Sequence, residues 1–331
     1  MKSKIKALLA HKEKTIPILS FPGTQLMGIS VNDLISSAEN QALGMERIAA
    51  RCPVGASVNM MDLSVEAEAL GAEIRFSDDE IPTVTKGIID NIGAAADITL
   101  PPIGTARTGI YIEGVRLAKQ RIKDIPVFCG VIGPYSLAGR IYDMTALMMD
   151  CFDEPESVKL LLEKCSEYIA AYIAAFKAAG ADGVIMAEPA AGLLSPDLCE
   201  EFSSSFIRKI ISETVNDDFL FCYHNCGGGT VDMAESIASL NADIYHFGNA
   251  IELEKIIPLM PAESIVMGNI NPVLFRNSTP EDIRSGTREI FEKCSKFENF
   301  MLSSGCDIPA RAKWENIDEY FRTVCELYKN V

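Results

Sequence analysis

The run Phe219-Leu220-Phe221-Cys222-Tyr223 is followed at once by His224-Asn225-Cys226-Gly227, so strand-forming residues lead directly into metal-binding residue types. Five consecutive apolar residues without alternation predict a strand that is covered on both faces, as in a parallel sheet. The His-x-Cys pair comes where that strand ends, which is where parallel α/β barrels build their active sites. This stretch therefore predicts both a fold class and the position of a site within it.

Similar apolar runs recur along the chain and alternate with helical patterns. The predicted strands are 16–19, 97–100, 126–130, 183–187, 219–223, 243–247, 264–268 and 299–302. Between two of them, 155–179 shows the three- and four-residue apolar spacing of a helix, and Thr279 has the residue type of a helix N-cap. About eight strands alternating with helices in 331 residues predict a (β/α)8 barrel, the TIM barrel.

The domain organisation predicted from this pattern is a single barrel domain over 1–331. The regular alternation of strands and helices occupies 96–331. Residues 1–95 are less regular and are predicted to form an N-terminal helical extension that caps the barrel.

Composition and charge narrow the class of partners. Hydrophobic residues make up 48% and charged residues 23% of the chain, which is typical of a globular protein. The formal charge of −16 argues against nucleic acid and against an anionic membrane surface as partners. The most apolar helical segment, 168–181, is too short to cross a bilayer. Ten cysteines without regular spacing predict reduced thiols and a cytoplasmic protein.

A third residue, Cys306, completes the predicted set of metal ligands. Cys306 lies in Ser304-Gly305-Cys306-Asp307, directly after the last predicted strand, so a barrel would bring it to the same mouth as His224 and Cys226. Zn²⁺ favours such nitrogen and sulfur ligands, and three protein ligands leave a fourth position open for chemistry. The alternative interpretation is that this histidine and these cysteines are structural and bind no metal.

Other polar residues also follow predicted strands. Glu188 is a candidate fourth metal ligand or catalytic base, and its alternative is a carboxylate hydrogen-bonded to backbone amides. His246 is a candidate catalytic residue, or else a barrel histidine with its hydrogen bonds satisfied. Asn249 and Asn269 are candidate cofactor-binding residues at the ends of two later strands.

Four motifs in their order resemble those of the uroporphyrinogen decarboxylase superfamily, and most closely its methylcobamide:coenzyme M methyltransferase branch. The motifs are DLSVEAEALG at 62–71, GPYSLAG at 133–139, MGNINP at 267–272 and GCDIP at 305–309. The resemblance implies a catalytic role for Asp62, which matches the aspartate of the decarboxylases. Tyr135, in the second motif, is assigned to cofactor binding on the same basis.

Two departures favour the methyltransferase branch. Decarboxylases of this superfamily carry an arginine-rich N-terminal loop that grips the many carboxylates of the substrate, whereas 21–27 here contains no arginine. Decarboxylases also have a histidine where this chain has Cys306. The methyltransferase branch uses a His-x-Cys…Cys zinc site, which is matched by His224, Cys226 and Cys306.

The resemblance implies a zinc-dependent methyltransferase in which a thiolate attacks the methyl group of a methylcorrinoid cosubstrate. The spacing around Asp243 and His246 does not match a corrinoid-binding signature, so a separate carrier protein is expected to present the corrinoid. The small-molecule methyl acceptor or donor stays open between coenzyme M, another thiol such as homocysteine, and tetrahydrofolate, as does the direction of transfer. The alternatives are a tetrapyrrole decarboxylase and a non-catalytic protein that handles corrinoid or metal.

Overall fold

One curled parallel sheet dominates the computed structural model, which describes residues 2–329. The sheet has the strand order β1-β4-β5-β6-β7-β8-β9, while β2 and β3 form a separate antiparallel pair. The strands in chain order are β1 (Ser57–Val58), β2 (Glu73–Arg75), β3 (Thr83–Lys86), β4 (Val127–Ile132), β5 (Gly183–Ala187), β6 (Leu220–Asn225), β7 (Ile244–Phe247), β8 (Ile265–Ile270) and β9 (Phe300–Ser304).

Helices follow most strands of the sheet and cover its outer face. The α-helices are α1 (Ser3–Leu9), α2 (Gly23–Met27), α3 (Val31–Ile35), α4 (Ala38–Arg51), α5 (Val65–Ala69), α6 (Thr108–Arg121), α7 (Pro134–Ile141), α8 (Met144–Asp153), α9 (Pro155–Ala178), α10 (Pro196–Cys199), α11 (Ser205–Thr214), α12 (Ala234–Ala238), α13 (Leu253–Ile256), α14 (Pro272–Asn277), α15 (Pro280–Cys294) and α16 (Trp314–Lys329). Short 3₁₀ turns lie at Ile92–Asp97, Pro189–Leu193, Thr230–Met233 and Ile257–Leu259, and one π-helical turn lies at Glu200–Ser204.

An extended segment, residues 15–20, closes the barrel between its two edge strands. On one side the Ser303 hydroxyl donates to the Ile16 carbonyl at 2.8 Å, and the Ile18 amide donates to the Ser304 hydroxyl at 3.0 Å. On the other side the Gly55 amide donates to the Thr15 carbonyl at 2.8 Å, just before β1. The seven strands and this closing segment therefore form the eight extended segments of the barrel wall, and the predicted barrel architecture is confirmed.

Successive side chains of each strand point to opposite faces of the sheet and therefore belong to two separate apolar clusters. In β6, Leu220 and Cys222 belong to the smaller cluster inside the barrel, whereas Phe221 and Tyr223 belong to the cluster between sheet and helices. Because both faces of β6 are buried, its apolar part is a continuous run of apolar residues. Alternation then places His224 on the inner face of the barrel.

Helix α1 closes the amino-terminal end of the barrel. Its buried Ile5 and Leu8 join the inner cluster. Just before it, the Lys2 ammonium donates to Asp243 at 2.9 Å and to the Asn216 carbonyl, both of which precede strands of the sheet. Because α1 covers the amino-terminal end, the open end of the barrel lies at the carboxyl ends of its strands.

The predicted strands differ from the structure in several places, and the antiparallel pair β2 and β3 was not predicted. Residues 16–19 are extended but form the closing segment rather than a regular strand, because their partners include side-chain hydroxyls. The strand predicted at 97–100 is wrong, since these residues leave the 3₁₀ turn Ile92–Asp97 and join no sheet. β1 was missed because it has only two residues.

The region 1–95, predicted as an irregular and helical cap, contributes directly to the barrel through β1 and the closing segment. The predicted helix at 155–179 is α9, and Thr279 caps α15 by accepting a hydrogen bond from the Asp282 amide. Across residues 2–329, no helix combines the length and apolarity needed to cross a bilayer.

Candidate metal centre

The sheet brings the three predicted donor residues together at the mouth of the barrel. His224 lies inside β6, Cys226 follows the last residue of that strand, and Cys306 lies just beyond β9. Their ligand atoms lie within 4.8 Å of one another, although 82 positions separate His224 from Cys306 in the sequence. The parallel barrel therefore closes the long gap between them.

The spacing of the donor atoms fits a tetrahedral zinc ion. The Sγ atom of Cys306 is 3.6 Å from Nε2 of His224. With Zn–S bonds of about 2.3 Å and Zn–N bonds of about 2.0 Å, two donors at a tetrahedral angle lie about 3.5 Å apart. The donor set is also the nitrogen and sulfur set that zinc prefers over calcium or magnesium.

Glycine at position 248 lets Cys226 reach this position. A Cβ atom added to Gly248 would lie 2.4 Å from the Cβ of Cys226, which is far inside contact distance. Gly248 follows β7, whose register places His246 beside His224. The close approach of the two strand ends therefore depends on the missing side chain.

A hydrogen-bond chain fixes the tautomer of His224. Nε2 of the buried His246 lies 2.6 Å from the Ser304 carbonyl oxygen, which only accepts, so His246 carries its proton on Nε2. Its Nδ1 then accepts from Nδ1 of His224 at 2.7 Å. The His246 carbonyl, 3.1 Å from the same His224 atom, is a second acceptor. Nε2 of His224 is thus left with a free lone pair on the side of Cys306.

Burial and mutual contact set the protonation of these groups. Burial lowers the pKa of His246 well below its ordinary value, and the neighbouring His224 lowers it further, so His246 is neutral. The hydrogen bond between the two thiols lowers the pKa of Cys226 and raises the pKa of Cys306. A metal ion that binds both sulfurs must therefore displace the proton that they share.

We expect replacement of His246 by leucine to weaken zinc affinity by about 10- to 100-fold, because it removes the acceptor that orients His224. The measurement is competition with a chromogenic chelator. His246→Gln, which keeps a polar acceptor, should lose less affinity, and His11→Gln on the surface should lose none. Equal zinc affinity in His246→Leu and the wild type would show that the hydrogen bond between His246 and His224 does not position Nε2 of His224.

Glu188 lies beside the site but its carboxylate is fully engaged. It accepts from the backbone amides of Tyr135 at 2.9 Å and Ser136 at 2.6 Å, at the start of α7. Burial nevertheless raises its pKa to about 7. The structure therefore shows the alternative arrangement, a carboxylate held by backbone amides, and a role as base or fourth ligand stays a prediction.

Asp62 is the centre of a buried ionic network. Its Oδ1 accepts from the Ser64 hydroxyl at 2.6 Å, and its Oδ2 accepts from Arg107 and, at 2.9 Å, from the Tyr111 hydroxyl. Arg107 also donates to Glu68 at 2.6 Å. A carboxylate with both oxygens occupied is a structural anchor, and its predicted catalytic role stays a prediction.

Asn249 and Asn269 lie near the candidate metal centre, but their side chains differ in exposure and in hydrogen bonding. The side-chain amide of Asn269 donates to the Gly248 carbonyl at 2.9 Å and to the Ile251 carbonyl at 2.7 Å, so it holds the loop after β7 in place. Asn249 is exposed, and its backbone packs against Gly305, next to Cys306. The predicted role of both asparagines in cofactor binding stays a prediction.

The side chain of Tyr135 is fully buried, and its hydroxyl lies 3.9 Å from Sγ of Cys151 in α8. Its backbone amide donates to the carboxylate of Glu188. The predicted role of Tyr135 in cofactor binding stays a prediction.

Two charged residues beside the predicted site residues were missed as candidates: Arg107 and Asp307. Arg107 forms an ion pair with Asp62. Asp307 directly follows Cys306, and within residues 2–329 its buried carboxyl oxygens accept no hydrogen bond. An acid next to a predicted metal ligand was the available sequence signal for Asp307.

The family described as uroporphyrinogen decarboxylase (URO-D) matches residues 18–327. Among curated proteins, the chain is similar to methylcobamide:CoM methyltransferase MtbA of Methanosarcina acetivorans, with 26% identity over 78% of this chain and 76% of the relative. It is also similar to uroporphyrinogen decarboxylase of Pseudomonas syringae pv. syringae, with 24% identity over 90% of this chain and 87% of the relative.

Solved structures share the fold. A methyltransferase from Methanosarcina mazei superposes with a TM-score of 0.85 at 20% identity, covering 99% of this chain and 100% of that protein. A B12-independent methionine synthase from Shewanella sp. W3-18-1 superposes with a TM-score of 0.64 at 12% identity, covering 96% of both chains. At these identities the likeness concerns the barrel itself.

Proposed function

This chain belongs to the uroporphyrinogen decarboxylase family, and from that premise we propose that it is a zinc-dependent methyltransferase acting between a methylated corrinoid and a thiol. The observation that carries the proposal is the donor set of His224, Cys226 and Cys306, whose ligand atoms lie within 4.8 Å of one another. Relatives named as methylcobamide:CoM methyltransferases support the same reaction class.

The donor set suits activation of a thiol. Three protein ligands leave one position for an incoming sulfur, and zinc bound there would lower the pKa of the thiol so that it reacts as thiolate. His224 presents Nε2 because the chain through His246 and Ser304 fixes its tautomer. The barrel walls orient the sulfur toward the open mouth, where the corrinoid must arrive.

The proposed step balances without a further reactant. The thiol releases its proton to solvent, and the sulfur lone pair forms the new C–S bond with the methyl carbon. The Co–C bond breaks, and its electron pair stays on cobalt, which passes from cobalt(III) to cobalt(I). The products are a methyl thioether and the reduced corrinoid, and the reverse direction uses the same atoms.

A carrier protein is the proposed source of the corrinoid. Leu193 is 58% exposed and ends the turn after β5, and Val273 is 52% exposed and lies in α14 after β8. Both are therefore on the side of the barrel where the donor set opens. Exposed apolar side chains around a mouth are suited to docking another protein surface.

Decarboxylation of a tetrapyrrole is the second candidate, favoured by the decarboxylase relatives and by Asp62 at the matching position. Two observations count against a polycarboxylate substrate: α2 and the residues before it carry no arginine, and Arg107 is already paired with Asp62 and Glu68. Assays with methylcobalamin and with uroporphyrinogen decide between the two candidate functions.

We expect zinc-loaded protein to demethylate methylcobalamin when a thiol is present under anaerobic conditions, with loss of the Co–C bond followed by absorbance. Protein treated with a chelator should lose this activity, and one equivalent of zinc should restore it. Uroporphyrinogen should be left unchanged. Decarboxylation of uroporphyrinogen, together with no demethylation by any thiol, would replace the proposed function by the second candidate.

A further inference from the structure

Asn225 lies between two of the three candidate zinc ligands, and its side chain is completely buried. It is the last residue of β6. Because side chains alternate along a strand, Asn225 points to the face opposite the one on which His224 lies. Any effect of its side-chain amide on a bound metal must therefore pass through the backbone of the next residue, Cys226.

The side-chain amide of Asn225 is engaged at both of its ends. Nδ2 donates to the Glu188 carbonyl and to the Tyr223 hydroxyl, each at 3.0 Å. Oδ1 accepts from the Gly227 amide at 2.8 Å and from the Thr230 hydroxyl at 3.0 Å. These partners fix the orientation of the amide, because a carbonyl only accepts and a backbone N–H only donates.

The hydrogen bonds of Asn225 hold the backbone on both sides of Cys226. The bond from the Gly227 amide to Oδ1 spans Cys226 itself. The same loop packs backbone to backbone against the 3₁₀ turn after β5, since a Cβ atom added to Gly227 would lie 2.7 Å from Cα of Gly192. Cys226 is therefore attached to a loop that is fastened to the ends of both β5 and β6.

We propose that Asn225 is the positioning residue for Cys226: its buried amide holds the loop so that the Sγ atom of Cys226 is ready to join the donor set. The proposal rests on the zinc centre of the proposed function and assigns a supporting residue to it. A cysteine on a loosely held loop loses conformational freedom when a metal binds, which weakens binding. A loop already held by buried hydrogen bonds has lost that freedom on folding, so the metal binds more tightly.

Asn225→Asp tests the amide directly, because it keeps the shape of the side chain and replaces the N–H donors by an oxygen. That oxygen would face the Glu188 carbonyl oxygen in a buried position. We expect zinc affinity to fall by about 10- to 100-fold, the usual loss when a residue that supports a ligand is replaced. Competition with a chromogenic chelator measures it.

Asn316→Asp is the matched control. Asn316 is also completely buried, and its side-chain amide donates to the Phe275 and Ser278 carbonyls, each at 3.0 Å. The same substitution there should lower the thermal midpoint, because it breaks the same kind of hydrogen bond. It should leave zinc affinity at the wild-type value, since these partners lie in and after α14 rather than in the loop that carries Cys226.

Tyr223→Phe is a milder change that keeps the buried ring and removes one acceptor of Asn225. We expect zinc affinity to fall by about 2- to 10-fold, which corresponds to one hydrogen bond. Tyr245→Phe is its control, because Tyr245 is the register partner of Tyr223 in β7. The Tyr245 hydroxyl bonds to the Ala238 carbonyl and the Ala242 amide, so its loss should leave zinc affinity unchanged.

Cobalt(II) in place of zinc gives a readout that a merely structural role would not change. Absorbance from charge transfer between thiolate sulfur and cobalt increases with the number of thiolate ligands, so it reports the donor set for each bound ion. With cobalt in excess, we expect Asn225→Asp to lose about half of this absorbance, because one of two sulfurs no longer binds in place. Asn316→Asp should keep the wild-type spectrum.

Wild-type zinc affinity and an unchanged cobalt spectrum in Asn225→Asp would overturn this inference and leave the proposed function standing, as would equal losses in Asn225→Asp and Asn316→Asp. If Asn225→Asp does not fold, equal zinc affinity in Tyr223→Phe and Tyr245→Phe would overturn it. Failure of the wild type to bind zinc would overturn the inference and the proposed function together. Zinc binding without methyl transfer to any thiol would overturn the proposed function alone.

Discussion

Replacing Arg107 by methionine is expected to lower the free energy of unfolding by about 3–5 kcal/mol. The carboxylate of Asp62 is inaccessible to solvent, and Arg107 is the only cation among residues 2–329 that forms an ion pair with it. Methionine removes the charge but keeps much of the volume. Asp62 would retain hydrogen bonds from Tyr111 and Ser64 but would be a buried anion without its cation. Guanidinium unfolding followed by circular dichroism measures the change.

Arg116→Met is the matched control, in the helix α6 that begins directly after Arg107. Arg116 pairs with Glu113 at 2.5 Å, but both side chains are exposed. Exposed pairs of this kind contribute about 0.2–1 kcal/mol. A double variant that also carries Asp62→Leu should recover part of the loss, since it removes the orphaned charge. If Arg107→Met unfolds at the same denaturant concentration as Arg116→Met, the buried pair does not anchor this end of the barrel.

The main strands could be predicted because burial on both faces leaves a local signal. β5 matches the predicted run 183–187, and β6, β8 and β9 extend past the predicted ends. The extensions of β6 and β9 are polar, as with His224 and Asn225 in β6, because strand pairing continues after the apolar run ends. Apolarity alone therefore marks where a strand begins to be buried but not where it ends.

The closing segment 15–20 carries the apolar run that predicted a strand at 16–19, but it pairs through side-chain hydroxyls of β9 in place of a regular ladder. β1 lacks such a signal because it is only two residues long. Tertiary contacts alone give β1 its extended form. The same is true of the ionic network, because Asp62 and Arg107 are 45 positions apart and only the folded barrel pairs them.

The candidate metal centre could be predicted from the sequence more completely than its surroundings. Residue type and position after a strand were sufficient to select His224, Cys226 and Cys306. The pairing of His246 with His224 follows from the register of β6 and β7, which a sequence does not display. Asp307 stands out only because, within residues 2–329, its buried carboxyl oxygens lack a hydrogen-bond partner, and such a gap is visible only in a structure.

Replacing Cys306 by serine is expected to abolish zinc binding at stoichiometric concentrations and to lower methyl transfer by more than about 100-fold. Loss of a residue that merely supports a ligand already costs 10- to 100-fold, and Cys306 is itself one of three donors. Serine keeps the shape of the side chain, but its hydroxyl is a poor zinc ligand at neutral pH compared with a thiolate. Metal analysis after gel filtration and the methylcobalamin assay measure the two effects.

Cysteines elsewhere in the chain provide the comparison. Cys325 lies in α16, away from the donor set, where its thiol donates to the Glu13 carbonyl at 3.8 Å, so Cys325→Ser should keep both zinc and activity. Cys226→Ser should reproduce the loss seen for Cys306→Ser, since both sulfurs belong to one donor set. The two losses should not add in the double variant, because a site that has lost one of three ligands no longer holds the metal. Full zinc content and unchanged turnover in Cys306→Ser would instead show that the cluster, however well its spacing fits, is not the site of thiol activation.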